Sequence, residues 1–347
     1  NVTIPDLESI DLCFDYQGFP QDWNLMETMQ GKPEISSKYL CLENQTLAPM
    51  IMNVGTADGL FSSITDITLP DTMTVIPFGL AEAKKEVEHD NGTITWRIED
   101  TGTGGILYAG DYVRQDIDAA GTSIQFYYGR KHHPIMEEAN AAEAIQTVME
   151  YCSSHYGVPS FSSLDSLKLI QGRVAGGGYA VSGASLMDEQ DFTAQNLHNS
   201  EKGGIPGEVM IHELVHQWWG LGAMFDVSQP DSAWSAEGLT VYTTYRIIKE
   251  LYGEAYAKEN YIDQWKTAVD DYYHNFYIRN PQYLEALPEE KRLDISNQLS
   301  NMRYYNEMPL KILKAEELVG GEEAMDLILY QLFNRDVDPM YPYLTEQ

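Results

Sequence analysis

The stretch GEVMIHELVHQWWG sets two histidines, His212 and His216, around a glutamate, Glu213. On a helix, residues four apart share a face, so both imidazoles can present a nitrogen to one ion about 2.0 to 2.1 Å away, the distance zinc requires. Glu213 lies about 100° around the helix from His212 and can reach the open side of that ion, where a water would bind. The pattern suits a metal-activated water with a carboxylate base beside it. Histidine is sparse, 8 in 347 residues, and apolar Val209, Met210, Val215 and Trp219 would give the pair a dry helix to sit on. A third ligand has to come from elsewhere. Downstream, AWSAEGLTVYTTY opens another helix with Glu237 one turn in. A carboxylate there completes a two-histidine, one-carboxylate set with the fourth position left to water, as in catalytic rather than structural zinc.

The elements that must hold these residues follow from periodicity. From about residue 38 to 131, short β-like runs (KYLCLEN, MTVIPFGL, TITWRIED, GILYAGDYVRQDI, TSIQFYYGRK) alternate with turn signals, which reads as an antiparallel β domain. HDNGTITW carries the Asn-Gly of a tight hairpin, with Ile94, Trp96 and Ile98 alternating against Thr93, Thr95 and Arg97. The character then changes. Ile145, Val148, Met149 and Cys152 fall on one helical face, and Gly157-Val158-Pro159 stops that helix. LKLIQGRVAGGGYAVSGASLMD reads as two strands around a glycine-rich bend, and helical patterns cover roughly 232–251, 254–278, 289–317 and 321–335. The first 35 residues have no assignable pattern.

Bulk composition narrows the function classes. With 53 acidic against 22 basic side chains, the net charge of -31 repels phosphate backbones and anionic lipid, so nucleic acid is a poor partner. Cys13, Cys41 and Cys152 form no C-x-x-C pair and supply no thiolate metal site; a Cys13–Cys41 bridge is conceivable only as a guess. No run of about 18 apolar residues is present.

HELVHQWWG followed by WSAEGLTVY resembles the aminopeptidase N-like gluzincin zinc metallopeptidases, whose signature is H-E-x-x-H-x18-E with Trp before and Gly after the third ligand. The match takes in His212, Glu213, His216, Gln217, Trp218 or Trp219, Gly220, Trp234, Glu237, Gly238 and Tyr242. Here 20 residues separate His216 from Glu237, and strict spacing would select Ser235, a poor ligand; FDVSQPDSA is therefore read as a two-residue insertion. The resemblance also implies a tyrosine opposite the base that stabilises the oxyanion: Tyr305 in MRYYNEMPLKIL, with Tyr304 as the alternative.

The resemblance breaks at one place. The family's Gly-x-Met-Glu-Asn strand, whose glutamate binds the substrate's free amine, aligns with GGGYAVSGASLMD, and Ala180 stands where the glutamate belongs; no carboxylate occurs between Asp165 and Asp188. Three outcomes are compatible with that loss: an endopeptidase, an aminopeptidase anchored from elsewhere, or a zinc-binding peptide-recognition module with little or no turnover.

The resulting expectation is an α+β chain: a β-sandwich-like N-terminal domain over residues 1–133, incomplete at its start, then a thermolysin-like, mostly helical zinc peptidase domain over 134–347. It binds one Zn²⁺ through His212, His216 and Glu237, uses Glu213 and Tyr305 catalytically, and acts on a peptide or protein substrate. The resemblance implies the soluble part of a larger extracellular or cell-surface protein, with room for a membrane tether outside this chain.

Overall fold

A computed structural model describes residues 34–42, 61–102, 106–138, 140–159, 166–172, 177–189, 208–221 and 234–335, with Cys13, Asp15 and Gln17. The expected insertion FDVSQPDSA, the first 33 residues apart from those three, and the tail from 336 lie outside them.

Twelve strands among the described residues form three sheets. The first is four-stranded, in the order β1-β2-β7-β4: β1 Glu34–Ile35, β2 Tyr39–Leu42, β7 Ile106–Gly110 and β4 Thr74–Phe78. The second joins β3 Phe61–Pro70, β6 Thr93–Gly102 and β5 Ala83–His89. All their pairings are antiparallel. The expected hairpin is β5–β6, turned at Gly92 with φ +77, and Ile94, Trp96 and Ile98 are its buried face.

The third sheet carries the site. Its order is β11-β12-β10-β9-β8, from Gly178–Val181, Ala184–Asp188, Ser166–Gly172, Thr122–Gly129 and Tyr112–Ala119. β9 and β10 are parallel, which requires a crossover, and helix α1 (Ala141–Tyr156) supplies it by burying Ile145, Val148, Met149 and Cys152 on the sheet. The glycine-rich segment therefore holds a third strand: β10 and β12 run parallel, and β11 is an antiparallel edge joined to β12 by Ser182-Gly183.

β8 and β9, expected with the N-terminal domain, hydrogen-bond to this sheet, so the hydrogen-bonded network crosses the expected 133/134 boundary. GILYAGDYVRQDI looks continuous in sequence, but Asp111 interrupts it, and the chain passes from β7 in one sheet to β8 in another.

The sheets stack in layers. Leu40, Leu42, Val75 and Leu107 of the four-stranded sheet meet Ile94, Trp96 and Ile98; the alternate residues Tyr39, Cys41, Ile76 and Tyr108 meet Tyr127, Ile170 and Leu186 of the site-bearing sheet. β2 is buried on both faces, which explains its unbroken apolar run. On the far face, Ile124, Phe126, Leu167 and Leu169 pack on the helices. Lys168 points the other way and, almost wholly buried, donates to the carbonyls of Pro77, Gly79 and Ala81, tying the layers together.

The main helices are α2 Glu208–Val215, α3 Leu239–Tyr252, α4 Asp263–His274, α5 Glu289–Met302, α6 Met308–Val319 and α7 Glu322–Phe333. Antiparallel sheets followed by a helical half make the chain α+β. Cys13, Cys41 and Cys152 are in no disulfide, so the Cys13–Cys41 pairing does not form.

Candidate metal centre

His212 and His216 lie on and just past the last turn of α2, which is buried between α1, α3 and the β11–β12 hairpin. What aims them is a set of polar contacts around the helix end. Trp218 Nε1 donates to the carbonyl of Gly157 at 2.8 Å and Trp219 Nε1 to Thr243 Oγ1 at 2.9 Å, pinning this end to α1 and α3. Gln217, fully buried, accepts from Gly183 N at 3.1 Å and donates to Val181 O at 3.0 Å, so one amide holds both sides of the hairpin turn. Ser185 Oγ donates to the carbonyl of Glu213 at 2.8 Å. Gly220, at φ +90, turns the chain away where a side chain would press on Ala236 at 3.0 Å.

Glu237 sits in Trp234–Gly238, a π-turn that opens α3. The extra residue of a π-turn swings its side chains out of helical register, a device frequent at functional sites. Glu237 Oε2 lies 3.2 Å from His212 Nε2 and 3.5 Å from His216 Nε2, and the two Nε2 atoms are 3.1 Å apart. Three donors bound tetrahedrally at zinc distances would be about 3.4 Å apart. Glu237 Oε2 is also buried without a hydrogen-bond partner, an arrangement that a cation resolves. The far nitrogen of His216, Nδ1, lies 3.1 Å from Trp219 O, which can only accept; that bond puts the proton on Nδ1 and leaves Nε2 free as a ligand. These are the three residues read from the sequence, and they form the cluster of metal-binding type among the described residues. The donor set fits one Zn²⁺.

The electrostatics agree with a cation site. Burial acts to raise the Glu237 pKa, but the imidazoles of His212 and His216 beside it outweigh that and hold the carboxyl well below its ordinary value. For His216, burial pulls down and Glu237 more than offsets it, so the net shift is upward. Burial raises Glu213, the two histidines pull the other way, and Glu237 adds to the rise.

Glu213 is 5% exposed, and its Oε2 has no hydrogen-bond partner. It packs beneath edge strand β11 so closely that a Cβ at Gly178 would stand 2.3 Å from its Cγ. Residue 178 must be glycine for the base to sit there. Tyr305 lies in a second π-turn, Arg303–Glu307, ahead of α6, with its ring 6.1 Å from that of His212. Burial, then the carboxylates of Glu237 and Glu213, raise its pKa far enough to keep the phenol protonated as a donor. Tyr305, and not Tyr304, lines the cavity that also holds His212 and Glu213.

Sequence reasoning placed Gln217 and the tryptophans in the family match without saying what they hold, and read Gly178 as a turn or a close approach for substrate backbone, not as the residue that makes room for Glu213. Gln-Trp-Trp-Gly immediately after the second histidine was the available signal, because three buried-type polar or aromatic residues at a helix end need partners.

The structure brings together His212, His216 and Glu237, the three ligands that the sequence resemblance to gluzincin zinc metallopeptidases implies. Residues 139–306, just under half of the chain, match the peptidase family M1 domain. The chain is similar to leucine aminopeptidase 2 of Emericella nidulans, 30% identical over 116 residues, which is 33% of this chain and 18% of that protein. It is also similar to a leukotriene A-4 hydrolase homolog of Botryotinia fuckeliana, 30% identical over 126 residues, 36% of this chain and 19% of that one. The matches thus span about a fifth of the length of these curated relatives. Among solved structures, native yeast LTA4 hydrolase superposes with TM-score 0.48 at 12% identity, covering 85% of this chain and 44% of that one. An M1 zinc metallopeptidase from Deinococcus radiodurans gives TM-score 0.46 at 16% identity, covering 82% and 59%.

Proposed function

We propose that this chain hydrolyses peptide bonds. A zinc ion held by His212, His216 and Glu237 supplies Lewis acidity toward the scissile carbonyl and makes water a better nucleophile at neutral pH. Glu213, buried and with a free carboxylate oxygen, takes the proton of the attacking water and passes it to the leaving amine. Tyr305, kept protonated, donates to the oxyanion that develops on the carbonyl. β11, an edge strand whose Gly178 packs on Glu213, offers backbone groups along which an extended peptide can lie.

The observation that carries the reading is the convergence of three donor atoms within 3.1 to 3.5 Å, with a partnerless buried carboxylate oxygen next to them. Glu213→Gln is expected to retain about one zinc per chain while losing activity by on the order of 10² to 10⁴, the usual worth of a general base. Tyr305→Phe is expected to lower kcat by about 10² to 10³, as loss of an oxyanion donor does elsewhere. Metal analysis and peptide assays read both, and a Glu213→Gln protein that cleaves as fast as the parent would defeat the mechanism.

Ala180 favours a second reading, a zinc-binding module that recognises peptides without turning them over. Zinc content near one per chain, with no cleavage of a mixed peptide library by the parent, would select it.

A further inference from the structure

Beside the metal centre is a cavity of about 500 Å³, with His212, Glu213 and Tyr305 on one side. Its lining also includes residues with no part in the hydrolytic step: Glu208 one turn ahead of His212 on α2, Asn260, Tyr261, Gln264 and Trp265. Asn260 and Tyr261 come from a third π-turn, Lys258–Ile262. Each of the three π-turns among the described residues therefore delivers a side chain to the metal or to this cavity. Irregular helix of this kind costs hydrogen-bond geometry, and it is concentrated here.

The polar chemistry of these residues is that of an acceptor. Asn260 spends its amide nitrogen on Tyr256 O at 3.0 Å, which leaves an oxygen to offer. Tyr261 is 4% exposed, lines the cavity, and its hydroxyl is buried without a hydrogen-bond partner. Glu208 keeps solvent access yet stands beside the Tyr261 hydroxyl, with burial of its carboxyl pushing its pKa up, and the described residues lining the cavity include no lysine or arginine. A zinc ion would be balanced by the carboxylates of Glu213 and Glu237, so the charge left over is that of Glu208. Val209, Val241 and Trp265 supply apolar wall for an aliphatic stem.

Building on the peptidase reading above, we propose that this cavity is a cation-accepting subsite, in which the Glu208 carboxylate takes an ammonium or guanidinium group of the bound peptide and Tyr261 and Asn260 supply neutral hydrogen bonds to it. The cation is either the peptide's own free amine, the group left without a carboxylate by Ala180, or a basic side chain beside the scissile bond. The two sources share one chemistry and differ in where the peptide carries it.

The test uses the zinc-loaded full chain and peptides of one core sequence, with the amino end free or acetylated, and with arginine or uncharged citrulline on either side of the scissile bond. The parent is expected to favour one cationic arm over its neutral counterpart by on the order of ten-fold in kcat/KM, as a charge-assisted hydrogen bond provides. The favoured arm identifies the source. Glu208→Gln should remove that preference, Glu208→Lys should invert it toward a core bearing glutamate, and Tyr261→Phe should weaken the same arm by a smaller factor. Zinc content and cleavage of the acetylated citrulline peptide report that each variant is folded. A parent without preference, a preference that survives Glu208→Gln, or an equal fall for every peptide overturns the subsite. If the parent cleaves nothing, the peptidase reading fails separately; calorimetric Kd values for the same peptides then decide the subsite, which falls if cationic and neutral peptides bind alike or if Glu208→Gln leaves their ratio unchanged.

Discussion

In the three-stranded sheet, Ile94, Trp96 and Ile98 face the core while Thr93, Thr95 and Arg97 face outward, and the pair Arg97–Asp66 lies on the open side. Behind the metal centre the polar groups are inside. α3 is buried from Leu239 to Ile248 with Thr240, Thr243, Thr244 and Arg246 included. Arg246, 5% exposed, donates to Tyr242 Oη at 2.6 Å and reaches Asp326 at 3.2 Å, Glu316 at 3.4 Å and Glu322 at 3.5 Å. Tyr242 in turn donates to Glu316 at 2.6 Å. Water satisfies the first set if a partner is lost; only other protein groups satisfy the second. α3 follows directly on the π-turn that holds Glu237, so the buried network anchors the element that delivers the third ligand.

Removal of the arginine should break this contrast most visibly. Arg246→Met keeps most of the volume but leaves the half-buried carboxylates of Glu316 and Asp326 without that cation, and Asp326 Oδ1 already lacks a hydrogen-bond partner. Stranding one side of a buried ion pair typically costs about 3–5 kcal/mol. Urea titration of the purified chain should show a loss of that size. Adding Glu316→Gln and Asp326→Asn to the same protein should recover part of it, because the cost lies in the unpaired charge and not in the missing contact.

Gly178→Ala sharpens the comparison on the site side. The new methyl would press on Glu213 Cγ and Cδ at 2.3 and 2.6 Å, so either β11 or the base must move. Overpacking of this kind costs about 1–3 kcal/mol. The expected signature is a fall in kcat with zinc content unchanged, since Glu213 is displaced while His212, His216 and Glu237 are not touched. An unchanged kcat would mean that the base does not depend on this close approach.

How much of the molecule was legible divides along the same line. Where one face meets a core and the other meets water, alternation is written in the sequence; Ile94, Trp96 and Ile98 were readable for that reason, as was the helical face of Ile145, Val148, Met149 and Cys152. His212, His216 and Glu237 were readable because ligand chemistry restricts residue type and helix geometry restricts spacing. Illegible features came from long-range pairing and from irregular backbone. Nothing local tells that the chain changes sheets at Asp111, or that β9 seeks β10 across α1. The helical patterns over 254–278 and 289–317 gave no warning of the π-turns at 258–262 and 303–307, because one inserted residue disturbs apolar periodicity by less than natural sequence variation does. Yet those turns place Asn260, Tyr261 and Tyr305.

The smallest effect belongs to the sheet. Arg97 and Asp66 stand directly opposite each other on β6 and β3 and form a two-pronged pair, Nε to Oδ1 and Nη2 to Oδ2, both 2.8 Å. The hydrogen bond from Arg97 lowers the Asp66 pKa, so any stability it confers is present above the ordinary carboxylate range and is lost as pH falls through the lowered value. Both side chains are well exposed, at 38% and 45%, and solvent screens such pairs until little remains. Asp66→Asn should therefore leave the urea midpoint at pH 7 unchanged within error, and salt at about 1 M, where the Debye length is near 3 Å, should erase any residue of a difference. A loss as large as that of Arg246→Met would show that the open face of this sheet is not open in the working protein, and the contrast between a water-satisfied and a protein-satisfied region would no longer hold.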